Sequence, residues 1–516
     1  MRVNKRGSRV AIAALAFFGV LLGGAPSMAI SGKPAVDKDT IVIAIGRDIA
    51  MLDAQVDNTG NSDRYAWQMF DNLYTFDKQG KLIPQVASDV KVSADGLDYR
   101  FTIRQDVVFH NGAKLTAEDV KFSFERILDP ATKSTRRPYF ADLVDRVDVI
   151  DPATVSVKLR ERDVVFLNKV AAFVALVPKA YVESLPSVEA FARAPVGAGP
   201  YKLVSHKIGQ SLELERHDAY YGAKPAIKHL VFRYIPDASS RLNALRTGEV
   251  DVADMIAPSD VKQIKSTAGL SVVLVPAGSP LHVRLYSNVP NTPLADKRVR
   301  LALNYAIDVD AIIRHVQHGI GKPLTSFISA YYPVGVDPDL KPYPYDPKLA
   351  RKLLADAGYP RGFETDLLSP NSYPKDVTDA VAGYWQAVGV RAKTRILEYP
   401  AWNRLNNTHA SGPMTVMQYS NAIYDPITAI FGTAARKGTW SDYSNPEVDA
   451  LIDQTNSVEN PAERDKLFRK IARIMRDDGH AVLISELFSV FAMDSQIEWV
   501  PQQGYAFYDL RTIHWK

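Results

Sequence analysis

Cysteine is absent from all 516 residues. That excludes a disulfide framework, a thiolate nucleophile or soft metal ligand, and a lipid-modified cysteine behind a leader; a chain this large must be held by its apolar cores alone. Excess charge is missing too. The net charge of +4 is supplied by Arg2, Lys5, Arg6 and Arg9, and once these four are set aside the 62 Lys and Arg fall to 58, equal to the 58 Asp and Glu. A neutral chain with both signs interspersed gives no electrostatic case for nucleic acid or an anionic membrane. Beyond residues 10–22 no long apolar run occurs, and that run is too short to span a bilayer comfortably. There is no Gly-x-Ser-x-Gly elbow, no His-Glu-x-x-His and no phosphate loop ending in Lys-Ser or Lys-Thr, so the usual enzyme signatures are lacking. His315 and His318 lie three apart without an evident third ligand, and no internal repeat or low-complexity segment stands out.

What is present begins with a basic, then apolar, leader ending in Ser27-Met28-Ala29. This reads as a secretory signal peptide over residues 1–29, cleaved after Ala29. The remainder is too long for one ordinary core, so more than one lobe is expected. Short apolar strands alternate with helices, which predicts an α/β architecture. Residues 93–130 show the pattern most clearly. Tyr99, Phe101 and Ile103 alternate with Arg100, Thr102 and Arg104 as in a strand with one buried face. Asn111-Gly112 turns the chain. Thr116 and Asp119 resemble a capping box before a helix carrying Val120, Phe124, Ile127 and Leu128 on one face, and Asp129-Pro130 ends it. Further along, Asp346-Pro347, Asn445-Pro446 and Asn460-Pro461 each place a capping side chain before a proline at the first helical position. Gly278, Ser279 and Pro280 mark a change of pattern.

Residues 93–130 also resemble the signature of the family 5 solute-binding proteins, the receptors of peptide, nickel and related ABC importers. The matching residues are Ser93, Asp95-Gly96, Phe109-His110-Asn111-Gly112 and Ala117-Glu118-Asp119-Val120-Lys121-Phe122-Ser123. Gly199-Pro200-Tyr201, Tyr220-Tyr221-Gly222, Ala244 to Asp251, Ala302 to Asp308 and Ala357-Gly358-Tyr359 continue the resemblance in the expected order. It implies a two-lobed periplasmic-binding-protein fold (type II, cluster C-like). Residues 30–73, 195–278 and 480–516 would form lobe I, residues 74–194 a subdomain inserted in it, and residues 279–479 lobe II. It further implies a monomeric periplasmic receptor without cofactor or catalytic step, closing on a small solute and delivering it to a permease and ATPase in the inner membrane. A peptide or peptide-like solute is the expected ligand, with a metal chelate, an opine or a sugar derivative as alternatives. A secreted hydrolase and a receptor that signals without importing are the competing classes.

A binder needs stacking surfaces and a few polar groups in a cleft. In the segment 413–431 a strand from Met414 to Tyr419 leads into a loop, residues 420–426, that carries Asn421 and Tyr424 before Asp425-Pro426, with Trp402, Trp440 and Tyr443 in polar contexts elsewhere. By the resemblance, Arg136 and Tyr139 match a cleft arginine and aromatic of the nickel-binding relatives, and Asp53 sits in a cleft-facing loop. The peptide-binding relatives carry in the 413–431 loop an aspartate for the ligand's α-amine; here Ala422 occupies that position. Asp48 and Asp53 are therefore the expected substitutes. Asp425 and His110 are read as structural.

Overall fold

The computed structural model describes residues 38–49, 51–56, 60–419, 421–436, 438, 440–504 and 508–516. The leader expected over residues 1–29 lies outside them. Among the described residues no helix is long and apolar enough to cross a membrane.

Ile41, Ile43 and Ile45 are buried in the strand Thr40–Ile45, which pairs in parallel with His229–Tyr234 and Val252–Ala253. A strand covered on both faces carries such a continuous apolar run. It belongs to an 11-stranded sheet organised around two long antiparallel strands, Leu270–Leu285 and Ala481–Asp494. Their register is broken between Pro276 and Pro280. On one side of the break, residues 270–276 pair with 488–494, next to Val252–Ala253 and the strands beyond it. On the other, Leu281–Leu285 also pairs with Met414–Gln418, which is followed by Glu364–Pro370 and Arg391–Leu397. The sheet thus carries two sets of strands joined through one pair of shared strands, the frame of the two-lobed α/β fold.

The strand expected around Tyr99 is Asp98–Ile103, in a separate four-stranded antiparallel sheet with Ala87–Val92, Thr154–Leu159 and Val144–Asp151. Helix Ala117–Leu128 buries Val120, Phe124 and Ile127 in the same core cluster as Tyr99, Phe101 and Ile103. The Thr116 backbone N–H donates to Asp119 Oδ2 at 2.9 Å, the reciprocal half of the capping box. Asp346, Asn445 and Asn460 each accept two backbone N–H groups at their helix starts. Asp237 caps Ala238–Thr247, and Gly248, at φ +77°, closes that helix in the left-handed conformation. The core cluster containing the four-stranded sheet continues into Phe327, Ile423, Tyr424, Ile452 and Phe468, so this sheet shares its core with residues 327–468.

Candidate functional site

Helix Gly60–Met69 runs into residues 70–73, and this corner places Trp67, Asp71 and Asn72 on two neighbouring cavities. One is lined by Trp67, Phe70, Asn72, Arg136 and Phe173. Arg136 precedes the 3-10 turn Arg137–Tyr139 and is 3% exposed, with its guanidinium carbon 5.0 Å from the centre of the Phe173 ring. Tyr139 stacks on the same ring, centre to centre at 4.4 Å. A flat aromatic face holds the delocalised guanidinium by cation–π attraction. The Tyr139 phenol lies close enough to Tyr419, on the loop after Met414–Gln418, to add to the upward push that burial gives the Tyr419 hydroxyl. Tyr419 meets Trp440 edge to face at 5.5 Å. Arg136, Tyr139, Tyr419 and Trp440 are therefore brought to one region from separate stretches of sequence.

The loop itself is shaped internally. Asn421 Oδ1 accepts from the Ile423 N–H at 3.1 Å and the Thr428 hydroxyl at 3.2 Å, and its amide donates to the Asp425 carbonyl. Asp425 takes both nitrogens of the Arg464 fork and the Ile427 N–H, a structural role as expected. Ala422 packs against the main core. Tyr424 has φ +53°, rare for a side chain of its size, and is buried between Gly80 and Gly504. A Cβ on Gly80 would collide with the Tyr424 ring, and one on Gly504 would come within 2.8 Å of its hydroxyl. The hydroxyl donates to the Gln503 carbonyl at 2.5 Å, and the ring centre lies 4.8 Å from that of Phe76. Asn168 adds a 2.8 Å bond from its amide to the Ile423 carbonyl. Asn421 thus shapes the loop from within, and Tyr424 and Asn168 fasten it to residues 80, 168 and 503–504.

Three expected acids and aromatics are placed elsewhere. Asp53 is buried with both oxygens on Arg126, at 2.6 and 3.2 Å, and accepts the Gln55 N–H at 3.0 Å; its charge is already neutralised inside the protein, which corrects the expectation that it meets ligand. Asp48 accepts the Ile49 and Gly209 N–H groups, both at 2.9 Å, and braces its own loop. Trp402 is buried with Leu368 and Met417, and its indole donates to Thr415 at 2.8 Å, so it packs the sheet and does not line the cleft. His110 is structural as read: its Nε2 donates to the Gly199 carbonyl and its Nδ1 accepts from Gly197, while burial pushes its pKa down to about 3. Among the described residues no cluster of His, Asp and Glu could hold a metal ion.

The second cavity shares Trp67 and is bordered by Asp71, Phe76, Gln85, Tyr508 and Arg511. Tyr221 donates to Asp71 Oδ2 at 2.7 Å and Gln85 to Oδ1 at 2.6 Å. Arg511 forms a fork on Asp509, at 2.8 and 3.0 Å. Burial lifts Asp71 to a pKa of about 6 against the lowering effect of Tyr221, Arg511 and Tyr220. None of Trp67, Asp71, Asn72, Phe173 or Arg511 stands out in the sequence. The local signal is an indole in a polar helix; the rest depends on Gln502 and residues 508–511 folding back onto residues 67–85.

Two strand sets joined through one shared pair, with small cavities lined by aromatics and an arginine, are compatible with a solute receptor. The model of the bacterial extracellular solute-binding proteins, family 5 Middle, matches residues 81–440, and the chain belongs to this family. It is a substrate-binding protein of an ABC import system; members of the family bind peptides or small ligands in the periplasm and work with ABC permeases. It is 28% identical over 478 residues to heme-binding protein A of Haemophilus influenzae, covering 85% of each chain. To the glutathione-binding protein GsiB of Pectobacterium atrosepticum it is 28% identical over 466 residues, covering 87% of this chain and 89% of that one. The periplasmic binding protein DppA of Helicobacter pylori, solved with the peptide STSA, superposes with a TM-score of 0.80 at 24% identity, over 92% of this chain and 98% of that one.

Proposed function

We propose that the protein captures a small peptide-like solute bearing a carboxylate, holding that group on Arg136 between the Tyr139–Phe173 stack and the Tyr419–Trp440 pair. The observation that carries this reading is the burial of Arg136 on an aromatic platform beside a cavity. A guanidinium can donate paired charge-assisted hydrogen bonds to a carboxylate. The two similar proteins named for glutathione and heme both have ligands with carboxylates, which supports the same class. A non-peptide acid, such as an opine or a metal chelate, is the second reading; Ala422 favours it, because that loop position offers a methyl group where an ammonium would need an anion.

The lobes are proposed to hinge at the register break between Pro276 and Pro280 and at the facing residues 486–488 of the partner strand. Closure is stabilised by whatever the ligand touches only in the closed form, together with Tyr424 seated between Gly80 and Gly504. The protein acts as a monomer, cleaved after Ala29 on export, with no catalytic step. The test is ligand-induced thermal stabilisation by glutathione and by short peptides. Arg136→Ala is expected to abolish the shift, and Arg136→Lys to weaken it by losing the paired geometry. Full shifts in both variants would place the site elsewhere.

A further inference from the structure

Asp53 and Asp48 are spent on protein partners, so the question of which acid could meet a ligand ammonium passes to Asp71. Its side chain is 1% exposed and borders the cavity on one side of Trp67, while Arg136 borders the cavity on the other. The groups facing it are Tyr221 and Gln85 as donors, Tyr220 within hydrogen-bond reach, and Arg511, which is itself forked onto Asp509 and offsets part of the upward push of burial. Among the described residues no cation forms an ion pair with Asp71. Asn72, the next residue, borders the Arg136 cavity, and its Oδ1 is buried without a hydrogen-bond partner. Buried acceptors of that kind are rare and call for a donor.

Resting on the ligand site proposed above, we infer that Asp71 receives the ligand's ammonium and Asn72 Oδ1 an adjacent N–H, so that the protein selects zwitterions of the amino-acid or peptide type whose carboxylate reaches Arg136. The acid that the 419–426 loop lacks at Ala422 is thus supplied by Asp71. The raised pKa of Asp71 fits a carboxylate that a ligand counter-charge would favour, since burial disfavours its charged form by more than Tyr221 and Arg511 restore.

The test compares affinities, by calorimetry, for glutathione and trialanine with those for their N-acetyl derivatives. Breaking a buried charge pair corresponds to roughly 100-fold or more, so N-acetylation is expected to weaken binding by about that factor in the unaltered protein and by less than about threefold in Asp71→Asn. The unaltered protein alone supplies a second readout if Asp71→Asn does not fold: the preference for the free amine should fall about tenfold between pH 7.5 and pH 5 as Asp71 takes up its proton. Equal affinity for free and acetylated probes, a preference retained in Asp71→Asn, or no binding of any free-amine probe would overturn the assignment. If the preference is absent but binding still requires Arg136, only the role of Asp71 fails. If binding is indifferent to Arg136, the site itself is wrong.

Discussion

Asp53 and Asp71 are both buried carboxylates, eighteen positions apart, yet their surroundings give them opposite uses. Asp53 meets the Arg126 fork, and Gln55, held by the Ser123 and Ala175 carbonyls at 3.1 and 2.7 Å, completes a sealed network. Asp71 takes its hydrogen bonds from neutral donors and opens on a cavity. Burial is the same; the partner differs. A buried acid with its cation built in fastens one segment to another, whereas one without a cation is unstable in its charged form until something brings the charge.

The sharpest way to break this comparison is Arg126→Met, which removes the built-in cation and leaves Asp53 buried alone. Denaturant unfolding should show a loss of about 3–5 kcal/mol. A loss below ~1 kcal/mol would mean that Asp53 was never dependent on its partner. The next effect is the pH dependence of Asp71. Its folded pKa, about 6, stands above the ordinary value of 3.8, so the native state binds a proton more readily than the unfolded chain; the destabilisation it causes is fully present above pH 6 and is relieved as pH falls towards 4. A rise of that size corresponds to roughly 2–3 kcal/mol, and the stability difference between Asp71→Asn and the unaltered protein should shrink by about that amount between pH 7 and pH 4. A difference independent of pH would remove the contrast with Asp53.

Tyr424 lies on the Asp71 side, since Phe76 and the 502–504 segment stand beside that cavity. Tyr424→Ala should raise hydrogen exchange over residues 74–80 while leaving residues 53–56 unchanged, and weaken ligand binding about tenfold, or 1.4 kcal/mol, by loosening closure. Equal exchange in both segments would show that the two regions move as one. Smallest is Trp402→Phe, which removes the bond to Thr415 and touches neither acid. It should cost about 1 kcal/mol of stability and leave affinity as it was.

The part of this arrangement that sequence shows is the part made by neighbours in sequence. Thr116 with Asp119, Asp237 with Gly248, and Asp346 before Pro347 act over a few turns of helix at most, so propensity and spacing suffice to find them. The break between Pro276 and Pro280 is visible as punctuation for the same reason. The candidate site is half visible: the loops and the resemblance bring forward Arg136, Tyr139, Tyr419 and Trp440, which the fold gathers, but also Asp53 and Trp402, which it spends on packing. Asp53 finds Arg126 across 73 positions, and Trp67 and Asp71 meet a cavity wall more than 400 positions away. Nothing in the local pattern of either segment encodes those distances.

Arg136 as the anchor of a carboxylate-bearing solute is the claim on which the ligand site depends. Native mass spectrometry of the exported protein, purified without refolding and then denatured to release what it carries, tests this most directly. The expected result is a small molecule with a carboxylate and a free amine, present in the unaltered protein and lost in Arg136→Ala. A bound compound with no acidic group, or one retained undiminished in Arg136→Ala, would contradict it.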